Sequence, residues 1–418
     1  MNKPVFAQSL LLALLLSACT NPSDVPIPGF AQGGILSQTY PLTAQAKAKL
    51  EGVYVLESGA DKFGDRVVFK WAGDYLSVFT GKNVGYFVMK GGRLDSVVFL
   101  EGYWRYQNST ETGLAQLMVA RDEGGRYLLG DTTHGSTLRI RGNVGSGNGW
   151  PDQPVVFRYE RPITPSLLTK KFQIIVHRAG GRTSDHLPAS ENTVEIIKMS
   201  ERLGANGIEI DVRLTKDKVP VLYHDGGLNL RLTQKGPMVG PVEDYTLAEL
   251  KSFVWLINGE RIPTLEEALD AVVTQTNLKF VWLDTKTEQS GVITAYVPIA
   301  KKALQKAASM GRDLEICAGI PTQEVYDEFI AYPDYQNIPS LCELSPENVR
   351  TVNARVWGPR WTLGTQNDQV NAFHAEGRRA FTWTLDDPQF IEKYIREGIF
   401  DGILSNYPMA VAYQYYIQ

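Results

Sequence analysis

Glu209 and Asp211 stand two residues apart in the run Gly207-Ile208-Glu209-Ile210-Asp211-Val212-Arg213-Leu214. Side chains alternate across a strand, so both carboxylates point to one face while Ile208, Ile210 and Val212 occupy the other. The apolar set is the one that helices can cover, which turns the two acids inward. Buried carboxylates need a counter-charge, and a hard divalent cation with oxygen ligands supplies one. Asp284, at the end of Leu278-Lys279-Phe280-Val281-Trp282-Leu283-Asp284, offers a third ligand from a neighbouring element, whereas Lys286 offers an internal salt bridge instead. Spacing leaves both readings open. Of five histidines, His177 ends an apolar run and His224 follows the acidic strand in Val221-Leu222-Tyr223-His224-Asp225. Hydrolysis at phosphorus needs a nucleophile deprotonated, a leaving oxygen protonated and negative charge neutralised, and two imidazoles flanking a cation can supply all three. His186 lies in the loop between His177 and the first helix, His134 and His374 have no comparable neighbours, and all three read as surface or packing residues.

These groups must be held by strand ends. From Phe172 onward the chain alternates eight apolar runs, FQIIVH, GIEIDVRL, LKFVWLD, LEICAG, PSLCEL, ARVWG, AFTWTL and DGILSN, with amphipathic stretches such as ENTVEIIKMSERL, TLEEALDAV and PQFIEKYIREG. That alternation predicts a parallel sheet, and eight repeats predict a (β/α)8 TIM barrel over 170–418, whose functional residues lie where strands end. Residues 49–163 differ: short β-rich segments (VYVLES, RVVFKW, YLSVFT, VGYFVM, SVVFLEGYWRY, AQLMVA, YLLGDT, TLRIRG, PVVFRYE) recur between Gly-containing turns, predicting a small antiparallel all-β sandwich or barrel. At the N-terminus, Lys3, the apolar run Leu10–Leu16 and the small residues Ser17 and Ala18 read as a signal peptide over 1–18. Leu16-Ser17-Ala18-Cys19 resembles the bacterial lipoprotein box, making Cys19 the expected lipid attachment site of an exported, membrane-anchored envelope protein (outer membrane in a Gram-negative cell), with a plain secretory signal as the alternative. Residues 19–48 then form a flexible Pro-, Gly- and Ser-rich tether. The composition, 43% hydrophobic and 21% charged, is that of a folded globular protein, and a net charge of -4 gives no electrostatic reason to bind nucleic acid. In an oxidising compartment Cys317 and Cys342 could pair, or serve as buried small apolar residues.

The motifs taken together resemble one family. His177-Arg178-Ala179-Gly180-Gly181, Glu191-Asn192-Thr193, Glu209 through Asp217, Pro220 through Asp225, Ile262 through Glu267, Phe381-Thr382-Trp383-Thr384 and Asp401 through Pro408 resemble, in order and spacing, the glycerophosphodiester phosphodiesterases. The resemblance runs from about Phe172 to the C-terminus. It implies a TIM barrel binding Mg2+ or Ca2+ through Glu209, Asp211 and Asp284, with His177 and His224 as the acid/base pair, His177 favoured as base. Arg178 and Lys286 would hold the substrate phosphate. Glu191 would support the site or cap the first helix, and Trp383 would pack on the substrate or belong to the core. The implied reaction converts a glycerophosphodiester to glycerol phosphate and an alcohol. The alternatives are an inactive envelope binding module, or a phosphodiesterase for another diester such as a lysophospholipid or a glycosyl phosphate. Three positions depart from the family pattern: Ser190 replaces the usual Pro, Asp284 a more common Glu, and Asn406 a frequent Asp. Asp284 bears on the choice of cation, since Mg2+ tolerates distortion poorly and Ca2+ is permissive.

Overall fold

The structure, a computed structural model, describes residues 27–30, 34–131, 137–286 and 290–418. The expected signal peptide, Cys19 and His134 lie outside the described residues.

Eight strands, Gly52–Ser58, Arg66–Ala72, Tyr75–Thr80, Gly85–Leu94, Val97–Tyr106, Thr112–Val119, Arg139–Val144 and Gln153–Arg161, each pair antiparallel with the next. The last pairs back onto the first, with Tyr159 opposite Tyr54. The all-β region is therefore a closed up-and-down barrel, not a sandwich. Alternation fills its interior with Tyr54, Phe69, Phe87, Trp104 and Phe157.

Two readings of this region need correction. Tyr127 and Leu128 lie in the one-turn helix Gly125–Leu128, not in a strand. That helix follows Gly124 in the left-handed conformation, and Leu128 packs into the barrel core; burial there overrides the β-rich composition. The expected tether is folded from residue 34 onward. The backbone N–H groups of Ile35 and Leu36 donate to the Glu101 carboxylate (3.0 and 3.1 Å), Tyr40 and Pro41 pair with Arg93 and Gly92, and the helix Ala44–Leu50 buries Ala46 and Leu50. A periodless segment gives no sign that a carboxylate 65 residues away will capture its backbone.

The second barrel is parallel. Its strands are Gln173–Val176, Gly207–Leu214, Phe280–Thr285, Glu315–Ile320, Ser340–Cys342, Val356–Trp357, Arg379–Thr382 and Gly402–Ser405, and the first pairs with the last to close it. Ile175, Phe280, Trp282, Cys317, Leu341, Val356, Phe381 and Leu404 fill the inside. A short strand, Pro220–Leu222, doubles back antiparallel on the second parallel strand and so returns the chain to the barrel mouth just before His224. The stretch 191–203 is not one helix: it holds a single α-turn, Val194–Ile197, and a 3-10 turn, Ser200–Leu203. Cys317 and Cys342 are free. Cys317 faces the barrel interior and Cys342 the helix layer, so opposite sides of the sheet separate the two sulfurs.

The two barrels share a core. Val53, Val68, Phe79, Tyr86 and Val88, on the outward face of the antiparallel barrel, cluster with residues of the parallel barrel and of the helix Pro408–Tyr416. That helix buries Met409, Val411, Ala412, Tyr415 and Tyr416 and leaves Tyr413 and Gln414 partly exposed.

Candidate active site

All eight residues of the second parallel strand are buried. Ile208, Ile210 and Val212 pack under the helices; Glu209 and Asp211 point inward, 2% and 0% exposed. The third strand runs beside it in a register that sets Asp284 next to Asp211. One carboxylate oxygen from each of Glu209, Asp211 and Asp284 lies within 4.8 Å of the others. The Lys286 ammonium sits 2.9 Å from Asp211 Oδ1 and 2.5 Å from Asp284 Oδ2. The two readings left open by spacing therefore coexist: Lys286 pairs with two acids, while Glu209 Oε1 and Asp284 Oδ1 are buried with no hydrogen-bond partner among the described residues. Unpartnered hard oxygens within a close cluster of three carboxylates fit a divalent cation. Burial, then the charges of Asp211 and Asp284, push the Glu209 carboxyl well above its usual range. Burial acts the same way on Asp211 but is outweighed, first by Lys286, and Asp211 stays below that range.

The turn after the first strand carries two non-glycine residues in the left-handed region, Arg178 (φ 52°) and Ala179 (φ 62°). Such conformations cost about 1–3 kcal/mol each and persist where the surroundings enforce them. Here the Arg178 backbone N–H donates to Glu209 Oε2 (2.8 Å), tying the turn to the acidic strand. Its guanidinium donates to Glu191 Oε1 and to His224 Nε2, both at 2.8 Å. Glu191 is thus an ion-pair partner behind Arg178, also bonded to Arg231, and not a helix cap; Thr193 caps the short helix.

The hydrogen bonds fix the imidazole tautomers. Because arginine only donates, His224 Nε2 accepts from Arg178, and its Nδ1–H donates to Asp225 Oδ1 (2.8 Å). Burial opposes ionisation of Asp225, yet hydrogen bonds led by Arg231 hold it below the usual carboxylate range. At His177, Asn406 Nδ2 donates to Asp386 Oδ2 (2.7 Å), so Asn406 Oδ1 is left to accept from His177 Nδ1–H (2.8 Å). The unprotonated Nε2 of His177 lies 3.7 Å from Glu209 Oε2. Burial, and then the Arg178 charge, lower His177 to about 3. One imidazole is held neutral; the other faces an anion.

His177, Glu209, His224, Asp284 and Lys286 line a cavity of about 470 Å3 at the mouth of the parallel barrel. Its other wall, from strands five to seven, carries Glu343, Arg360 and Trp383. Trp383 is half-buried and lines the cavity; its indole N–H donates to Gly358 O (2.7 Å), and Arg360 lies 4.8 Å from its ring. His374 pairs with Asp401 at the surface, away from this cavity. Sequence reasoning missed several groups here. Asn192, inside a quoted motif, clamps the acidic strand by donating to Asp211 Oδ2 (2.6 Å) and accepting from its N–H (3.0 Å). Asp386 orients Asn406, Asp225 orients His224, and Glu343 and Trp282 enter the cavity. Alternation in PSLCEL would have turned Glu343 inward with Leu341; Asp386 sits in a loop and left no signal.

Residues 177–410 match the glycerophosphoryl diester phosphodiesterase family. The chain belongs to this family. Among curated members it is similar to a glycerophosphodiester phosphodiesterase of Caldanaerobacter subterraneus subsp. tengcongensis, 27% identical over 57% of this chain and 95% of that one. It is also similar to one of Bacillus altitudinis, 26% identical over 52% and 89% respectively. A solved glycerophosphodiester phosphodiesterase of Parabacteroides distasonis matches 57% of this chain and 94% of its own at 23% identity and a TM-score of 0.45. The family match begins at His177, so the antiparallel barrel lies outside it.

Proposed function

We propose that this phosphodiesterase hydrolyses glycerophosphodiesters to glycerol phosphate and an alcohol with a divalent cation, Mg2+ or Ca2+, held by Glu209, Asp211 and Asp284. Bound there, the cation would neutralise phosphoryl charge. The observation that carries the reading is the split between two imidazoles at one acidic cluster: His177 neutral with a free Nε2, His224 backed by the ionised Asp225. His177 Nε2 takes a proton from the attacking oxygen as the new O–P bond forms. As Arg178 turns from His224 Nε2 to the phosphate, that nitrogen is freed to take up a proton; the P–O bond to the alcohol then breaks, and the imidazolium, stabilised by Asp225, delivers this proton to the departing oxygen. Arg178, whose fork already points at His224, holds the non-bridging phosphate oxygens with Lys286. The test is an assay on a panel of glycerophosphodiesters before and after chelation. Activity lost with chelator and restored by Mg2+ or Ca2+ is expected; full turnover by metal-stripped protein would sink the cation's role, and no turnover of any diester would sink the activity.

The sequence Leu16-Ser17-Ala18-Cys19 supports export to the bacterial envelope and lipidation at Cys19. Labelled palmitate should enter the protein and be lost in Cys19→Ser; an unlabelled wild type would remove the anchor.

A further inference from the structure

The cavity wall contains two polar groups that the proposed chemistry does not use, one following the fifth parallel strand and one on the third, two residues before Asp284. Glu343 is the first, and its inward carboxylate lines the cavity with no hydrogen-bond partner among the described residues. Trp282 lines the same cavity, and its indole N–H is buried with no hydrogen-bond partner among the described residues. Burial, then the Asp284 charge, push the Glu343 carboxyl well above its usual range, so it meets a ligand as an acid whose carbonyl oxygen accepts, while the buried Trp282 N–H is a donor of the kind that ordinarily finds a partner. Room for both comes from glycines: a Cβ on Gly319 would lie 2.7 Å from Trp282 Nε1, and one on Gly358 would lie 2.8 Å from Leu341 and 3.4 Å from Glu343 Cγ. Thr322 and Thr384 add hydroxyls to this wall. An aromatic cage for a cationic alcohol is disfavoured, because the Arg360 guanidinium already lies over Trp383.

We propose that Glu343 and Trp282 form a subsite for the leaving alcohol that selects a polyol, with Glu343 accepting from one hydroxyl and the Trp282 indole N–H donating to another. The inference rests on the diesterase reading for its position in the reaction. A hydroxyl is the group that donates and accepts at once, so a vicinal diol satisfies both orphaned groups. Losing that match leaves them desolvated and unpaired, which is how sites built to bond a hydroxyl reject analogues lacking it.

The experiment compares kcat/KM of the full chain, with cation, on glycerophosphoglycerol, glycerophosphoinositol, glycerophosphocholine and glycerophosphoethanol. The polyol esters should exceed the ethyl ester by about tenfold, the scale of one well-made hydrogen bond. In Glu343→Ala and in Trp282→Phe that ratio should fall toward one, while Glu343→Gln, which keeps an acceptor oxygen, retains part of it. A ratio unchanged in Glu343→Ala, or a wild type that prefers the choline ester, would overturn the proposal. If no diester is turned over, the activity fails separately, and calorimetry with free glycerol and inositol decides the subsite. Binding that is lost in Glu343→Ala upholds it; wild-type protein that binds neither polyol overturns it.

Discussion

A neutral imidazole in a buried site changes how stability depends on pH. His177 is lowered from 6.5 to about 3, by burial first and the Arg178 charge second. Between those values the unfolded chain binds a proton that the folded chain refuses, so the stabilisation is complete above the unfolded value and is lost as pH falls from 6.5 toward 3. The raised Glu209 carboxyl contributes with the opposite sign, so the readout is the difference between variants: in urea unfolding of cation-free protein, His177→Gln should lose less stability, or gain more, than wild type between pH 7 and 5, and identical slopes would remove His177 as a source. Asp284 is a second residue with a separable role, since Lys286 pairs with one of its oxygens and the other is free. Asp284→Asn should weaken cation affinity by at least the ~10–100-fold that loss of an outer-shell partner costs. Partial rescue of turnover is expected at high cation. A variant with unchanged affinity but a large fall in melting temperature would assign Asp284 to the ion pair alone.

At the scale of elements, the loop from His177 to Glu191 is held from outside its own barrel. Arg105, on the fifth antiparallel strand and 1% exposed, donates to the backbone oxygen of Asp185 (2.7 Å). Asp185 in turn bonds Arg182 and Tyr407, and the Thr183 N–H donates to Glu191 Oε2 (2.6 Å), the carboxylate behind Arg178. Removing a hydrogen bond from a charged group costs about 1.5–3 kcal/mol, and here the cost falls on the loop that aims a phosphate ligand. Arg105→Ala should raise KM for the diester several-fold, with Arg105→Lys restoring part of it. A variant with a lower melting temperature and an unchanged KM would make Arg105 a packing residue only.

For the whole molecule, the shared core changes what truncation should do. Every proposed site residue lies beyond Pro165, which on sequence alone predicts that the parallel barrel keeps its chemistry if it folds. The helix Pro408–Tyr416, however, is covered by apolar residues of the antiparallel barrel, Val68, Phe79, Tyr86 and Val88 among them. Exposing that apolar face forfeits stabilisation at roughly 25 cal/mol per Å2 and leaves a patch prone to aggregation. A fragment spanning residues 165–418 should be insoluble or melt without cooperativity by calorimetry. A soluble, cooperatively melting and active fragment would show that the antiparallel barrel is dispensable to the site.

What the sequence determined by itself was what periodicity can carry. Alternation in GIEIDVRL sets Glu209 and Asp211 on the inner face, and eight apolar runs separated by amphipathic stretches specify eight parallel strands, because side-chain direction within one element follows from spacing alone. Tertiary structure decided what depends on two segments meeting. The apolar runs of the first region are the same for a sandwich and a barrel, and only the pairing of Tyr54 with Tyr159 selects closure. Val68, Phe79 and Val88 break the polar alternation of a solvent-facing sheet, yet nothing local says that a C-terminal helix covers them. Lys286 could be read as an alternative to the cation, while the register of adjacent strands gives it two acids and leaves two oxygens free. Asn406 looked like a lost acid; Asp386, from a loop, turns its amide so that its oxygen fixes the His177 tautomer. Contacts between residues distant in sequence set each of these outcomes, and spacing along one chain does not encode them.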